Sequence, residues 1–169
     1  VGIPDIYLET RMAHNEVLLE SYDTMIKAWA EMAEVTGRHY HPLEHYKTDD
    51  ADIVFLTMGG ISETCMTAVD EMRAAGKKAG VIRLRMWRPF PFEDVEKALG
   101  GRKVVIAVDR CLSTGGPGGP VASEIKSALY GLDKRPQVIE FIAGLGGRDV
   151  TIGDFKDMYE KGEAVASGG

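Results

Sequence analysis

Three arginines, Arg83, Arg85 and Arg88, fall close together in VIRLRMWRP. In an extended chain alternate residues share a face, so Arg83 and Arg85 form a basic stripe opposite Ile82, Leu84 and Met86, with Arg88 following within reach of the same edge. Such a stripe can grip a phosphate or carboxylate, or pair with acids of another element. Because exposed ion pairs contribute only ~0–1 kcal/mol each, it is expected to govern which surfaces dock more than how stable the fold is. A second candidate is the loop DRCLSTGGPGGP, whose Gly115, Gly116, Gly118 and Gly119 lead into a helical segment and can turn backbone amides toward an anion. A helix terminus supplies only ~0.3–1 kcal/mol toward an anion, whereas micromolar binding needs about 8 kcal/mol. Glycine loops alone therefore cannot make a tight site, and these positions are weak anion-contact candidates.

The remaining reactive side chains are poorly grouped. Asp109 with Arg110, and Arg148 with Asp149, read as pairs that hold neighbouring loops at an interface. Asp109 ends a strand, as the phosphate acceptor of receiver domains does, but Thr57, Met58, Gly59 and Gly60 stand where that chemistry needs acids for magnesium. Cys111 has no histidine near it in sequence, since His14, His39, His41 and His45 all lie toward the N-terminal end. Pro42 interrupts any helical spacing of the last three, so a metal site is not expected. Ser113 lacks the GxSxG elbow of serine hydrolases. Neither GxGxxG nor GxxxxGK[ST] occurs, which removes dinucleotide and P-loop nucleotide binding at the motif level. No catalytic residue is assigned to this chain.

Composition narrows the class. The chain has 169 residues, 44% of them hydrophobic and 27% charged, which fits a folded domain and excludes wholesale disorder. Of its 20 glycines, 14 follow residue 99, so the excess belongs to a few loops. The formal charge of −6 sits entirely in residues 1–50, and no basic block or RNA-binding motif is present, so nucleic acid is not an expected partner. Two cysteines, Cys65 and Cys111, make no disulfide framework and no zinc spacing. No apolar run reaches the ~20 residues that span a bilayer, and no signal peptide is seen at the start. A cytoplasmic location without a membrane is expected. The chain opens on Val1 and reads as a possible fragment of a longer subunit.

These residues must be positioned by an alternation of strands and helices. Leu18, Tyr22, Met25, Trp29 and Met32 recur at helical spacing, predicting a long helix over 12–36 that stops at Gly37. Its apolar stripe needs a cover, either the chain's own domain or a partner subunit. Beyond a polar stretch, apolar runs at Ile53 to Met58, Ala79 to Met86, Val104 to Val108 and Val138 to Ile142 predict strands. Between them lie helices from Ser62 to about Gly76, Phe92 to Leu99 and Val121 to Tyr130, with a last one from Ile152 to about Tyr159. The expected fold class is α/β: three layers, a mostly parallel sheet between helices, preceded by the long N-terminal helix. One domain over 1–162 is expected, with its α/β core at 51–160 and a flexible tail at 163–169. Ligand-facing loops would then be Gly59-Gly60, Arg88-Pro89-Phe90-Pro91, 109–120 and 144–151.

Four motifs, read together, carry a resemblance: Gly37-Arg38 with Tyr40, DDADIVFLTMGG, RPFP at 88–91 and GLGGRDVT at 144–151, joined by Asp109-Arg110 and its glycine loop. The chain resembles the C-terminal part of the alpha subunit of pyruvate and related 2-oxoacid:ferredoxin oxidoreductases, a region similar to the transketolase C-terminal domain. The resemblance runs over nearly the whole chain. It implies a complex that decarboxylates a 2-oxoacid, pyruvate first among them, on thiamine diphosphate. Electrons pass through iron–sulfur clusters to ferredoxin and the acyl group passes to coenzyme A. It further implies that thiamine diphosphate, Mg2+, the clusters and coenzyme A belong to the assembled enzyme, this chain holding none of them alone. The partners so implied are the other subunits or domains, within an oligomer. Two alternatives stay open: a coenzyme A or anion-binding module built on the 115–119 loop and the arginines, and a stand-alone regulatory domain of transketolase-C-like fold.

Overall fold

The computed structural model describes residues 3–168. Among these residues there are five strands: β1 (Leu43–Tyr46), β2 (Ile53–Thr57), β3 (Ala79–Leu84), β4 (Val104–Asp109) and β5 (Gln137–Ile142). Five α-helices accompany them: α1 (Pro4–Thr36), α2 (Ile61–Ala74), α3 (Phe92–Leu99), α4 (Pro120–Leu129) and α5 (Ile152–Ala166). The sheet order is β1-β3-β2-β4-β5. β2, β3, β4 and β5 pair in parallel, while β1 runs antiparallel to β3 with Glu44 opposite Arg83. The α/β class with a mostly parallel sheet and a long N-terminal helix is thus observed.

β2 and β4 are buried at every position, which is why they read as unbroken apolar runs: both of their faces are covered by helices. On one face Ile53, Phe55, Val81, Val104, Ile106 and Val108 pack with Cys65 and Val69 of α2 and Phe155 and Tyr159 of α5. The alternate residues point to the other face, where α4 packs on β4 and β5, and α3 on α4. Gly162 lets α5 lie close on the sheet, since a Cβ there would come within 2.9 Å of Ile106 Cδ1.

The chain divides into two compact units, one formed by 1–42 and 86–91, the other by 43–85 and 92–169. In the first, α1 starts at Pro4 rather than near Met12. Proline at the first helical turn loses no intrahelical bond and pre-sets φ, so it opens the helix that hydrophobic periodicity dates only from the first clear stripe. Thirty-three residues give a rod of about 50 Å, stopped by Gly37 at φ 70°. Ile6, Leu8, Met12, Val17 and Leu19 on it are exposed. In the second unit, the expected polar stretch contains β1, and α5 continues to Ala166, so 163–166 of the expected tail are helical. A full capping box starts α5: Thr151 N–H donates to the Asp154 carboxylate at 2.7 Å and Asp154 N–H to Thr151 Oγ1 at 3.2 Å. The Thr151 amide, and the Thr151 hydroxyl that also donates to the carboxylate at 2.7 Å, hold the exposed Asp154 carboxyl below its ordinary range.

Candidate functional site

The four parallel strands end at one edge, and the order of the sheet marks a switch point there. From β2 the chain turns to β3 on one side, then crosses to β4 on the other, so the loops after β2 and β4 flank the crevice between them. In open α/β sheets that is where ligands bind. The first loop is Met58-Gly59-Gly60, with Gly59 at φ 76°. Its carbonyls take the opening amides of α2, Ser62 N–H to Gly59 O and Glu63 N–H to Gly60 O, both 3.2 Å. Ser62 lies inside α2, fully buried, where its Oγ accepts from the Thr57 hydroxyl at 2.8 Å.

Across the crevice stands Asp109, 2% exposed at the end of β4. Its two carboxylate oxygens accept the Val121 and Ala122 amides of α4, each at 3.0 Å. Asp109, expected from the sequence to hold loops together with Arg110, does so as a helix cap: the carboxylate satisfies two of the donors that a helix N-terminus leaves open. Gly119 precedes these amides because a Cβ there would overlap the Asp109 carboxylate and lie 2.6 Å from Asp109 Cβ. Gly118, at φ 110°, rests against the Glu140 carboxylate in the same way. The loop closes on itself, with Ser113 N–H bonded to Gly118 O at 2.9 Å and Gly116 N–H to Ser113 O at 2.8 Å. Gly115 and Gly116 form its exposed tip, Gly115 at φ 73°.

Arg110 leans the other way. Its guanidinium donates to Gly144 O at 3.3 Å, and Gly144 takes φ 74° with its Cα side packed on the Arg110 side chain. Asp109 and Arg110 thus tie two different loops to the end of β4. Arg148 and Asp149 are exposed and form no ion pair with one another among the described residues.

The basic stripe is neutralised locally. Arg83 bonds Glu44 at 3.3 Å and also pairs with Glu63, while Arg85 meets Glu44 at 2.7 Å. Glu44 was hidden from sequence reasoning because β1 itself was. Arg83 and Arg85 share one face as alternation requires, but β2 separates β3 from β4, placing the stripe about 10 Å from the glycine loop at two strand spacings. Arg88 belongs to the first unit, with its guanidinium 4.6 Å from the Trp87 ring centre and 2.7 Å from the Trp87 carbonyl oxygen.

The two thiols differ. Cys65 is fully buried, and burial pushes its thiol well above the usual range, whereas Cys111 is exposed in the loop after β4. A thiol reagent is expected to modify one cysteine of the native chain rapidly and the second only on unfolding. Two rapid equivalents in native buffer would contradict the packing of α2 on the sheet. Among the described residues no group of three or more His, Cys, Asp or Glu is placed to hold a metal ion, and no helix is long and apolar enough to cross a membrane.

An α/β domain of this strand order, with Asp109 capping α4 at the switch point, defines a class before any comparison. In solved structures the same fold occurs in 2-oxoglutarate:ferredoxin oxidoreductase from Magnetococcus marinus with 2-oxoglutarate, coenzyme A and succinyl-CoA bound (TM-score 0.51, 18% identity, 75% of this chain and 20% of that one). It occurs also in a split gene transketolase, an inactive beta4 tetramer (TM-score 0.55, 14% identity, 77% of this chain and 45% of that one). Residues 51–155 match the family model of pyruvate:ferredoxin oxidoreductase core domain II, and the chain belongs to that family. Pyruvate synthase subunit PorA of Pyrococcus horikoshii is 34% identical over 169 residues, which is 100% of this chain but 42% of that protein. The chain therefore spans about two fifths of the length of such curated relatives.

Two features of the described residues bear on the groups that a 2-oxoacid:ferredoxin oxidoreductase would need. Iron–sulfur clusters take sets of cysteines, and the two thiols lie on α2 and in the β4 loop, one of them sealed in the core. A diphosphate or the phosphates of coenzyme A would want free amides at a helix N-terminus, yet Asp109 holds those of α4.

Proposed function

We propose that this chain is the C-terminal packing domain of the alpha subunit of a 2-oxoacid:ferredoxin oxidoreductase. The whole complex would oxidatively decarboxylate a 2-oxoacid, pyruvate being favoured by the PorA likeness, to acyl-CoA and CO2 while reducing ferredoxin. In this reading thiamine diphosphate, Mg2+, the iron–sulfur clusters and coenzyme A are held by other parts of the enzyme. The partners are those subunits, and ferredoxin through them, in the cytoplasm and without nucleic acid or membrane.

One observation carries it: the sheet edge where such folds bind ligands is closed from within by Asp109 on the Val121 and Ala122 amides. With the α4 donors already used, that side of the rim presents shape and charge to a neighbour, not a cradle to a phosphate. Arg83, Arg85, Arg88, Arg148, Asp149 and the exposed tip at Gly115 and Gly116 are then interface groups. Two measurements test the reading. The chain alone, supplied with pyruvate, thiamine diphosphate, Mg2+ and coenzyme A, is expected to reduce no viologen dye, and calorimetry with millimolar coenzyme A to show no heat of binding. Turnover would overturn the packing role, and heat with coenzyme A would favour the anion-binding alternative.

A further inference from the structure

The two edges of the sheet are built differently. At one edge β1 has four residues, and its Glu44 is pinned between Arg83 and Arg85, so a short charged strand blunts it against unwanted pairing. At the other, β5 has six residues, QVIEFI, partly exposed at every position after Gln137. It carries neither proline nor lysine, and its one charge, Glu140, is held by Lys126 at 2.9 Å. No described strand extends the sheet beyond β5. An apolar edge with a free row of backbone N–H and C=O groups is a template for another strand, and folded proteins rarely leave one bare.

We propose that a second copy of this chain covers it, the two β5 strands pairing antiparallel across a two-fold axis so that the two five-stranded sheets become one. The geometry restricts the register. Directly opposed residues of an antiparallel pair share a face, and a two-fold axis normal to the sheet keeps each face on its own side. The axis therefore passes at a residue, Ile139 or Glu140. Centring on Glu140 sets two carboxylates opposite one another, which is unfavourable. Centring on Ile139 sets Ile139 against its equivalent and brings the Glu140 carboxylate of each copy beside Val138 of the other.

The charge at that point is complementary. Val138 lines a cavity of about 290 Å³ with Leu129, Tyr130, Pro136, Lys126 and Arg135. Lys126 already holds its own Glu140, whereas Arg135, stacked 5.4 Å from the Tyr130 ring centre, has no carboxylate within ion-pair distance among the described residues. Its guanidinium donates to Tyr130 O at 3.0 Å, which leaves the positive charge without a carboxylate, and the incoming Glu140 arrives beside it. Tyr130, 76% exposed, supplies the apolar wall such a contact would bury. This pairing goes beyond the packing role proposed above and needs no turnover to be seen.

The test is positional cross-linking of the 169-residue chain with Cys111→Ser, which removes the exposed native thiol. In antiparallel sheets opposed Cα atoms lie about 4.5–5.5 Å apart, within disulfide range. Mild oxidation of Ile139→Cys is expected to convert most of the chain to a covalent species of twice 18.5 kDa. At Gln137→Cys or Glu140→Cys, where no equivalent residue lies opposite, the yield is expected to fall several-fold. Sedimentation should show Ile139→Lys as a monomer with an unchanged far-ultraviolet dichroism spectrum, against a wild-type dimer. A monomeric wild-type chain overturns the proposal, as it would if the edge takes a strand of another subunit. So does a dimer whose cross-linking shows no maximum at 139, or one that survives Ile139→Lys, since either would place the contact elsewhere.

Discussion

Asp109→Ala is expected to lower the melting temperature by about 4–12 °C, and Gly119→Ala to do nearly the same by a different route. Asp109 is 2% exposed and is the acceptor for two buried amides. Removing it strands both donors, at ~1–3 kcal/mol for a buried unsatisfied group, beside the ~1 kcal/mol typical of a lost cap. A net loss of ~2–3 kcal/mol converts to melting temperature at roughly 2–4 °C per kcal/mol for a domain of this size. Gly119 sits at φ −80°, so alanine meets no backbone strain there. Its cost arises because the new Cβ would overlap the Asp109 carboxylate and displace it from the α4 amides. The two substitutions attack one interaction, so the double variant should lose much less than the sum. Thermal unfolding of the four proteins decides it, and strict additivity would show that Gly119 acts independently of the cap.

The largest loss is expected on the opposite face. Phe155 is fully buried and meets Phe55 edge to face, with centroids 5.5 Å apart at 88°. Tyr159, one turn on, lies 6.3 Å from the Phe55 ring centre. Phe155→Ala removes the anchor that fixes α5 to β2, and truncating a core phenylalanine costs ~3–5 kcal/mol. The melting temperature should fall by roughly 6–20 °C, and amide exchange along α5 should quicken more than along β4. A loss below ~1 kcal/mol would mean that α5 is not part of the cooperative core.

Much of the architecture is legible from residues alone. The apolar runs of β2 and β4 and the start of α3 at Phe92 follow from local pattern, because strands buried on both faces show as unbroken hydrophobic stretches. The early start of α1 was missed, since Pro4 marks a helix opening by backbone geometry while the hydrophobic stripe becomes regular only later. β1 was missed for a related reason. LEHY has no pattern of its own, and its strand state depends on pairing with β3, whose Arg83 lies opposite Glu44.

The candidate site shows the same division. The glycines of 115–119, the arginines and the motifs that identify the family were visible as residue types at given spacings, and family membership needed no coordinates. That Asp109 faces α4 rather than Arg110, and that its carboxylate fills the amides which the glycine loop seemed to offer, depends on atoms twelve and thirteen positions away in sequence. The bare edge at β5 likewise exists only once the strand order is known. Local sequence determines which segments bury their side chains, because burial follows hydrophobic pattern. Which donor is satisfied by which acceptor is a matter of three-dimensional proximity, and that was decided only when the sheet assembled.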